Sequence, residues 1–275
     1  MLSVQSSSIE KYGNRPLILV TNDDGIFSPG LLAAAQAASS LGDVLVAAPK
    51  NQQTAMGRSY PKVDGVGRIE EVELAERIPN LIGAYSVEGA PAQVVSYAVL
   101  ELVTRLPNLC ISGVNFGENL GSTLTGSGTL GAAFEADSYS IPSIAISLQI
   151  ADEDTPESVD WAVSQFVCEQ FGLAVLDGQL PSDVTVLNIN VPRNATRESQ
   201  IARTVDSRQP FWVFRKPNRT ELSNPARLKV ETELILETLE SQSDIHALIQ
   251  EQKISVTPIN KHLAYVGPWQ LELFS

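Results

Sequence analysis

The sequence predicts an α/β fold, a parallel sheet with helices on its faces. Three observations carry that prediction. Apolar runs of strand length, such as Leu17-Ile18-Leu19-Val20, alternate with Ala-rich or amphipathic stretches of helix length. Strand, short loop, helix and strand follow one another between residues 17 and 48, the roughly 30-residue length of one βαβ unit. Polar, glycine-bearing loops follow these runs repeatedly, at the carboxyl ends of strands, where open α/β sheets bind their ligands. With 275 residues, 43% of them hydrophobic and 19% charged, the chain can bury a sizeable core as one large domain or a domain with an appendage.

The first strand, 17–20, ends at Thr21, where Asn22-Asp23-Asp24-Gly25 begins. Ser28 then suits a helix cap and Pro29 a first helical position, because proline has no amide to leave unpaired; an Ala-rich helix over 31–41 follows. Gly42-Asp43 ends it and a second strand spans 44–48, leading into the polar loop Lys50-Asn51-Gln52-Gln53-Thr54-Ala55-Met56-Gly57-Arg58-Ser59. Residues 60–80 alternate weakly and carry many charges, as an irregular or hairpin excursion does. A short strand at 85–87 turns through Gly89-Ala90-Pro91 into a helix over 92–105.

A strand at 109–111 opens a long polar loop through Asn115 and Gly121 to Ser127-Gly128-Thr129, before a helix over 130–136. Further strands are expected at 141–147 and 184–192, separated by an acidic loop and an amphipathic helix over 161–176. Residues 193–227 change character: they are Arg-rich, hold the patch Pro210-Phe211-Trp212-Val213-Phe214, and suit an extended arm or hairpin. That patch covers the site, packs on another subunit or fills core. Alternation over 231–239, a turn at 241–244, a helix over 245–250 capped by Ser243 or Asp244, and a last strand at 253–259 complete the chain.

Asn-Asp-Asp-Gly makes turns for backbone reasons alone. Its charge says more: two adjacent carboxylates at the mouth of a parallel sheet repel each other, and a bound cation keeps both ionised. Carboxylate and amide oxygens suit a hard ion such as Mg²⁺ or Mn²⁺, whereas soft metals prefer His and Cys, of which the chain has two each. His246 and His262 lie late, on surface-type segments, and Cys110 and Cys168 lie in apolar runs that suggest buried thiols. The small residues before the helix at 130 leave amides unpaired, as a phosphate site requires, yet neither Walker spacing nor GxGxxG is present. Asp23 and Asp24, the loop around Thr54, Asn115 and the segment 127–129 thus converge on one sheet edge, where metal-assisted phosphoester hydrolysis would use both halves. A formal net charge of −13 argues against a nucleic-acid polymer as partner. Without a signal-type segment or a long apolar run, a cytoplasmic protein with no membrane partner is expected.

LILVTNDDGIFSPG, AP followed by KNQQTAMGRS, GAP at 89–91, SGVNFGENLG, SGTLGAAFEA, IPSIAIS, LNINVP and ISVTPI together resemble the SurE family over residues 15–260, in family order. The resemblance implies a Rossmann-like three-layer α/β sheet with a smaller C-terminal part bearing an extended oligomerisation arm. It divides the chain into a flexible tail (1–15), a catalytic domain (16–192), the arm (193–235) and a segment returning to the core (236–275). It implies a 5'-nucleotidase that needs one divalent metal ion per subunit, in a homodimer or homotetramer, with nucleoside monophosphates as substrates. A phosphatase for polyphosphate, 3'-nucleotides or another phosphomonoester, and an inactive nucleotide-binding protein, are the alternatives. By motif, Asp23, Asp24, Thr54 and Asn115 look like the metal ligands, Asp23 and Asp24 the catalytic pair, and Asn115, Ser127, Gly128 and Thr129 the phosphate site. The chain departs from the family pattern at Thr54, usually Ser, at Gly126, usually Tyr or His, and at Ala136, usually Gly.

Overall fold

The computed structural model describes residues 15–74 and 78–260. In chain order the regular elements are β1 (Leu17–Thr21), α1 (Pro29–Leu41), β2 (Asp43–Pro49), β3 (Ile69–Glu71), β4 (Leu81–Val87), α2 (Pro91–Tyr97), β5 (Leu109–Phe116) and α3 (Gly128–Ser138). They continue with β6 (Ser143–Leu148), α4 (Ala162–Leu176), β7 (Val186–Val191), β8 (Ile201–Arg203), β9 (Trp212–Arg215), β10 (Lys229–Thr232) and β11 (Ile254–Ile259). Among the described residues, nine strands form one sheet in the order β3-β4-β2-β1-β5-β6-β7-β11-β8. From β4 across to β7 every neighbouring pair is parallel, as the βαβ pattern predicts.

The edges correct that expectation: β3 pairs antiparallel with β4, β11 runs antiparallel to β7, and the sheet is mixed. The reason is connection. Parallel neighbours need a crossover of helix length, whereas β3 reaches β4 through a short excursion and β11 arrives from the C-terminal segment without a crossover helix.

Strand alternation sends successive side chains to opposite faces and so builds two cores. Ile18 and Val20 of β1 pack with Leu31, Ala34, Ala35 and Ala38 of α1 and Val167 and Cys168 of α4. Leu17 and Leu19 face the other way, onto Val94 and Val95 of α2 and Ala132 and Ala136 of α3. Each large apolar side chain buried this way contributes about 1.5–3 kcal/mol, and the alanines let α1 lie close: a Cβ on Gly30 would come within 2.0 Å of the Val114 carbonyl oxygen. Both thiols are buried and free, and burial pushes each up to about 12.

Several boundaries differ from the sequence pattern. β5 continues through residues 112–116, expected as loop, because pairing with β6 resumes at Asn115 after a register shift. The helix expected at 92–105 ends at Tyr97 and continues as a π turn, Ala98–Leu102. The excursion over 60–80 contains β3, although residues 75–77 lie outside the described residues. Alternation at 231–239 becomes the end of β10 and a 3-10 turn, Leu236–Thr238; the helix at 245–250 is a π turn, His246–Gln250. β9 and β10 form a separate antiparallel hairpin, with Phe214 opposite Val230. The tail expected at 1–15 falls almost wholly outside the described residues.

Candidate active site

Strand order reverses beside β1: β2 and β4 lie on one side, β5, β6 and β7 on the other. Loops leaving β1 and β5 therefore diverge and open a crevice between them. Into it β1 delivers Asn22-Asp23-Asp24-Gly25. Asn22 is spent on the turn: its Nδ2 donates to Gly25 O (3.1 Å) and Ser28 Oγ (2.7 Å), and its Oδ1 accepts from Gly25 N (3.2 Å). Gly25 sits at φ +105°, a conformation that suits glycine. Ser28 Oγ in turn caps α1 at Leu31 N, 3.3 Å away.

The turn holds the two carboxylates against three other segments. Asp23 is 5% exposed, and its Oδ1 accepts from Thr129 Oγ1 at 2.7 Å. A Cβ on Gly128 would lie 2.7 Å from Asp23 Cβ and 2.8 Å from Oδ2, so only glycine lets α3 begin this close. The Asp23 carbonyl accepts from Gln53 N at 2.7 Å, tethering the loop after β2. Asp24 Oδ2 accepts from Phe116 N at the end of β5 (3.0 Å), and Oδ1 from Gln52 Nε2 (3.3 Å).

Burial first, and the neighbouring Asp24 charge second, push the Asp23 carboxyl up to about 7, against the lowering effect of the Thr129 hydroxyl. Burial also raises Asp24, while the Phe116 amide and Gln52 act to lower it. A hard divalent cation would oppose both shifts by favouring the ionised carboxylates, and the donors suit one. Asp23, Asp24, Thr54 and Asn115 line one cavity of about 620 Å³ together with Ser127. Asn115 Nδ2 donates to Gly117 O at 2.6 Å, which commits its nitrogen and makes its oxygen the atom that could meet a cation. Among the described residues no group of three or more His, Cys, Asp and Glu side chains gathers. Two carboxylates supplemented by neutral oxygens suit a hard ion such as Mg²⁺ or Mn²⁺ rather than a soft metal.

Of the residues predicted for phosphate, Ser127 faces the cavity and caps α3 at Leu130 N (3.2 Å). The first-turn amides of Gly128 and Thr129 precede any intrahelical acceptor. The Thr129 side chain is turned elsewhere: fully buried, it donates to Asp23 and accepts from Asn119 Nδ2 at 3.3 Å. Asn119 is a residue that pattern reading missed. Its Nδ2 also donates to Ser147 Oγ (2.9 Å), and its carbonyl accepts from Asn188 and Asn190 Nδ2, each at 3.0 Å. Two asparagines inside an otherwise apolar strand were the available signal. Gln52 and the Phe116 amide were also missed; a backbone donor leaves no trace in side-chain chemistry.

The Thr54 loop is clamped onto α3. Gly57 N donates to Gly126 O (3.0 Å), Arg58 Nε donates to the buried Glu135 Oε2 (2.7 Å), and a Cβ on Gly131 would meet Gly57 O at 2.1 Å. A Cβ on Gly126 meets nothing within 4 Å, so the position opens onto the cavity. His246, expected at the surface, is half-buried with Nδ1 unpartnered, and His262 lies outside the described residues.

Fold and site define a class: a doubly wound α/β protein whose switch-point crevice joins an oxygen-donor acidic pair to a capped helix start. Comparison with known proteins narrows it. The family model described as Survival protein SurE matches residues 18–210. The chain is 39% identical to the 5'-nucleotidase SurE of Methanothrix thermoacetophila, over 88% of this chain and 91% of that protein. It is 38% identical to that of Thermococcus gammatolerans, over 88% and 89%. A crystal structure of the SurE protein from Aquifex aeolicus superposes with a TM-score of 0.73 at 27% identity, covering 90% of this chain and 95% of that one. The chain belongs to the SurE family.

Proposed function

We propose that the chain hydrolyses nucleoside 5'-monophosphates to nucleoside and phosphate, with one divalent ion held by Asp23, Asp24, Thr54 and Asn115. The observation that carries this reading is the contact of Asp23 with the start of α3, which brings the acidic pair and the Ser127-capped helix start to one cavity. The names of the two relatives compared above, 5'-nucleotidases, agree with it. The chemistry such an ion supplies when bound is Lewis-acid polarisation of the phosphoryl group and activation of water.

The chain's own residues do the rest. The first-turn amides of α3 receive phosphate oxygens while Ser127 holds the helix start in shape. Thr129 fixes the orientation of Asp23; Gln52 and the Phe116 amide fix that of Asp24. In this reading residues 16–192 are the catalytic part and 193–235 an arm that joins subunits, supported by the exposed Phe214, Leu222, Leu228 and Val230 on and between β9 and β10. Among the described residues no helix is long and apolar enough to cross a membrane.

Phosphate release from AMP in Mg²⁺ or Mn²⁺ tests the assignment. Asp24→Asn is expected to abolish it and to abolish the rise in Tm on adding the ion; unchanged turnover in that variant sinks the reading. Faster release from polyphosphate or a 3'-nucleotide than from AMP in the same assay reassigns the substrate.

A further inference from the structure

A second cavity, of about 320 Å³, lies against the other side of Asp24 and shares Asp24, Gln52 and Phe116 with the larger one. Its walls are aromatic. Phe116 and Trp161 stand with ring centroids 6.4 Å apart at 51°, and Trp161 Nε1 donates to Pro156 O at 3.1 Å, which fixes the indole. Phe27 lines the same cleft, its ring 69% exposed on a backbone tied on both sides. The neighbouring Ile26 is buried and its amide donates to Pro49 O (2.9 Å); Ser28 N donates to Gly25 O (3.0 Å). A single exposed ring is ordinary on a protein surface, but Phe27 shares this cleft with the half-buried Phe116 and Trp161, and three aromatic side chains lining one opening beside the acidic pair make a patch.

The cleft does not suit a second phosphate. Its cation, Lys50, is engaged by Glu70 and Glu88 at 3.3 Å each, while Asp24 and Glu157 add negative charge. It suits a flat, neutral, aromatic group with polar edges: rings for the faces, and for the rim the Asn51 amide with the Gln52 oxygen, the Gln52 nitrogen already donating to Asp24. The larger cavity offers Trp212 and Phe214 instead, but these stand on the hairpin assigned above to subunit contact, whereas the small cleft is walled by β1–α1, β5 and α4 connections. Resting on the nucleotidase reading, we infer that this cleft is the nucleobase subsite, with Phe27 as its specificity-determining wall. A nucleotide then lies across Asp24, phosphate toward Ser127 and base against Phe27 and Trp161.

The test compares AMP with ribose 5-phosphate, which keeps the phosphoester and sugar and lacks the base. Phe27→Ala is expected to raise KM for AMP roughly tenfold, the scale of one base stacked on an aromatic ring, with kcat and both constants for ribose 5-phosphate unchanged. Phe27→Tyr, which keeps the ring, is expected to restore the wild-type KM. The inference is overturned if Phe27→Ala moves neither KM or moves both together, or if Trp212→Ala rather than Phe27→Ala closes the gap between the two substrates. Binding is read separately from turnover: AMP or adenosine should quench tryptophan fluorescence, and the quench should vanish in Trp161→Phe and persist in Trp212→Phe. If the wild type releases no phosphate from AMP, the nucleotidase reading fails and the titration alone decides the subsite. Saturable quenching weakened by Phe27→Ala then upholds it, and no such quenching overturns it.

Discussion

Gly128 shows how much of the site rests on a missing methyl group. Its Cα lies where any Cβ would press on Asp23 at 2.7 Å, below the separation real Cβ atoms show. Gly128→Ala is therefore expected to displace either the helix start or the carboxylate, and a shift near 1 Å costs on the order of 100-fold in rate. Steady-state kcat for AMP checks this, with Tm measured alongside to separate misplacement from unfolding. Glu118 makes a different kind of prediction. It is buried at the cavity wall with Oε2 unpartnered, and burial raises its pKa despite amide contacts that act to lower it. A carboxyl whose folded pKa is raised gives stability present below the unfolded value, near 4.3, and lost as pH rises through the folded one. Glu118→Gln removes that titration, so its urea midpoint relative to wild type should climb between pH 4 and pH 8. A constant difference would show that Glu118 ionises in the fold as it does in the open chain.

At the scale of elements, the site is a junction of segments distant in the chain, and the ties between them are buried polar groups. Asp244, fully buried, accepts from Gly121 N (2.8 Å), Ser207 N (2.9 Å) and Ile245 N (2.8 Å). It joins the glycine-rich loop to the segment that leads into the hairpin and to the turn before β11. Ser243, the other residue expected to cap that turn, accepts from His246 N at 3.2 Å. Asp244→Ala leaves three buried donors without an acceptor, at a cost of about 2–4 kcal/mol. Urea unfolding should report that loss, and faster proteolysis near residues 117–127 should accompany it. The helices and central strands were legible in the sequence because burial on both faces writes continuous apolar runs and a helical period. The polar half of β5 was not, because Ser112, Gly113 and Asn115 have low strand propensity and only pairing with β6 extends them.

For the whole molecule, two acidic features meet: a formal net charge of −13 and a proposed substrate that is itself an anion. The proposed cation, held by the acidic pair, and the helix start would make attraction local where the overall field repels. The hairpin of β9 and β10 adds an apolar surface that one copy leaves exposed, with Leu222 at 91%. Changing Leu222 and Leu228 together to Asp is expected to lower the mass measured by light scattering to that of a single chain, while far-UV circular dichroism stays unchanged. A wild-type mass already equal to one chain removes the arm proposal.

By itself the sequence determined the α/β class, the order of the central elements and the acidic pair with its neighbouring loops. Apolar period and turn chemistry are local, and a run such as LILVTNDDG carries both in adjacent residues. Only the tertiary structure decided that β3 and β11 run antiparallel, that the Thr129 hydroxyl faces Asp23 and not the cavity, and that Phe27 forms a cleft with Phe116 and Trp161. Those facts depend on contacts between residues up to 134 positions apart, and no local pattern encodes which side of a residue its distant partner will occupy.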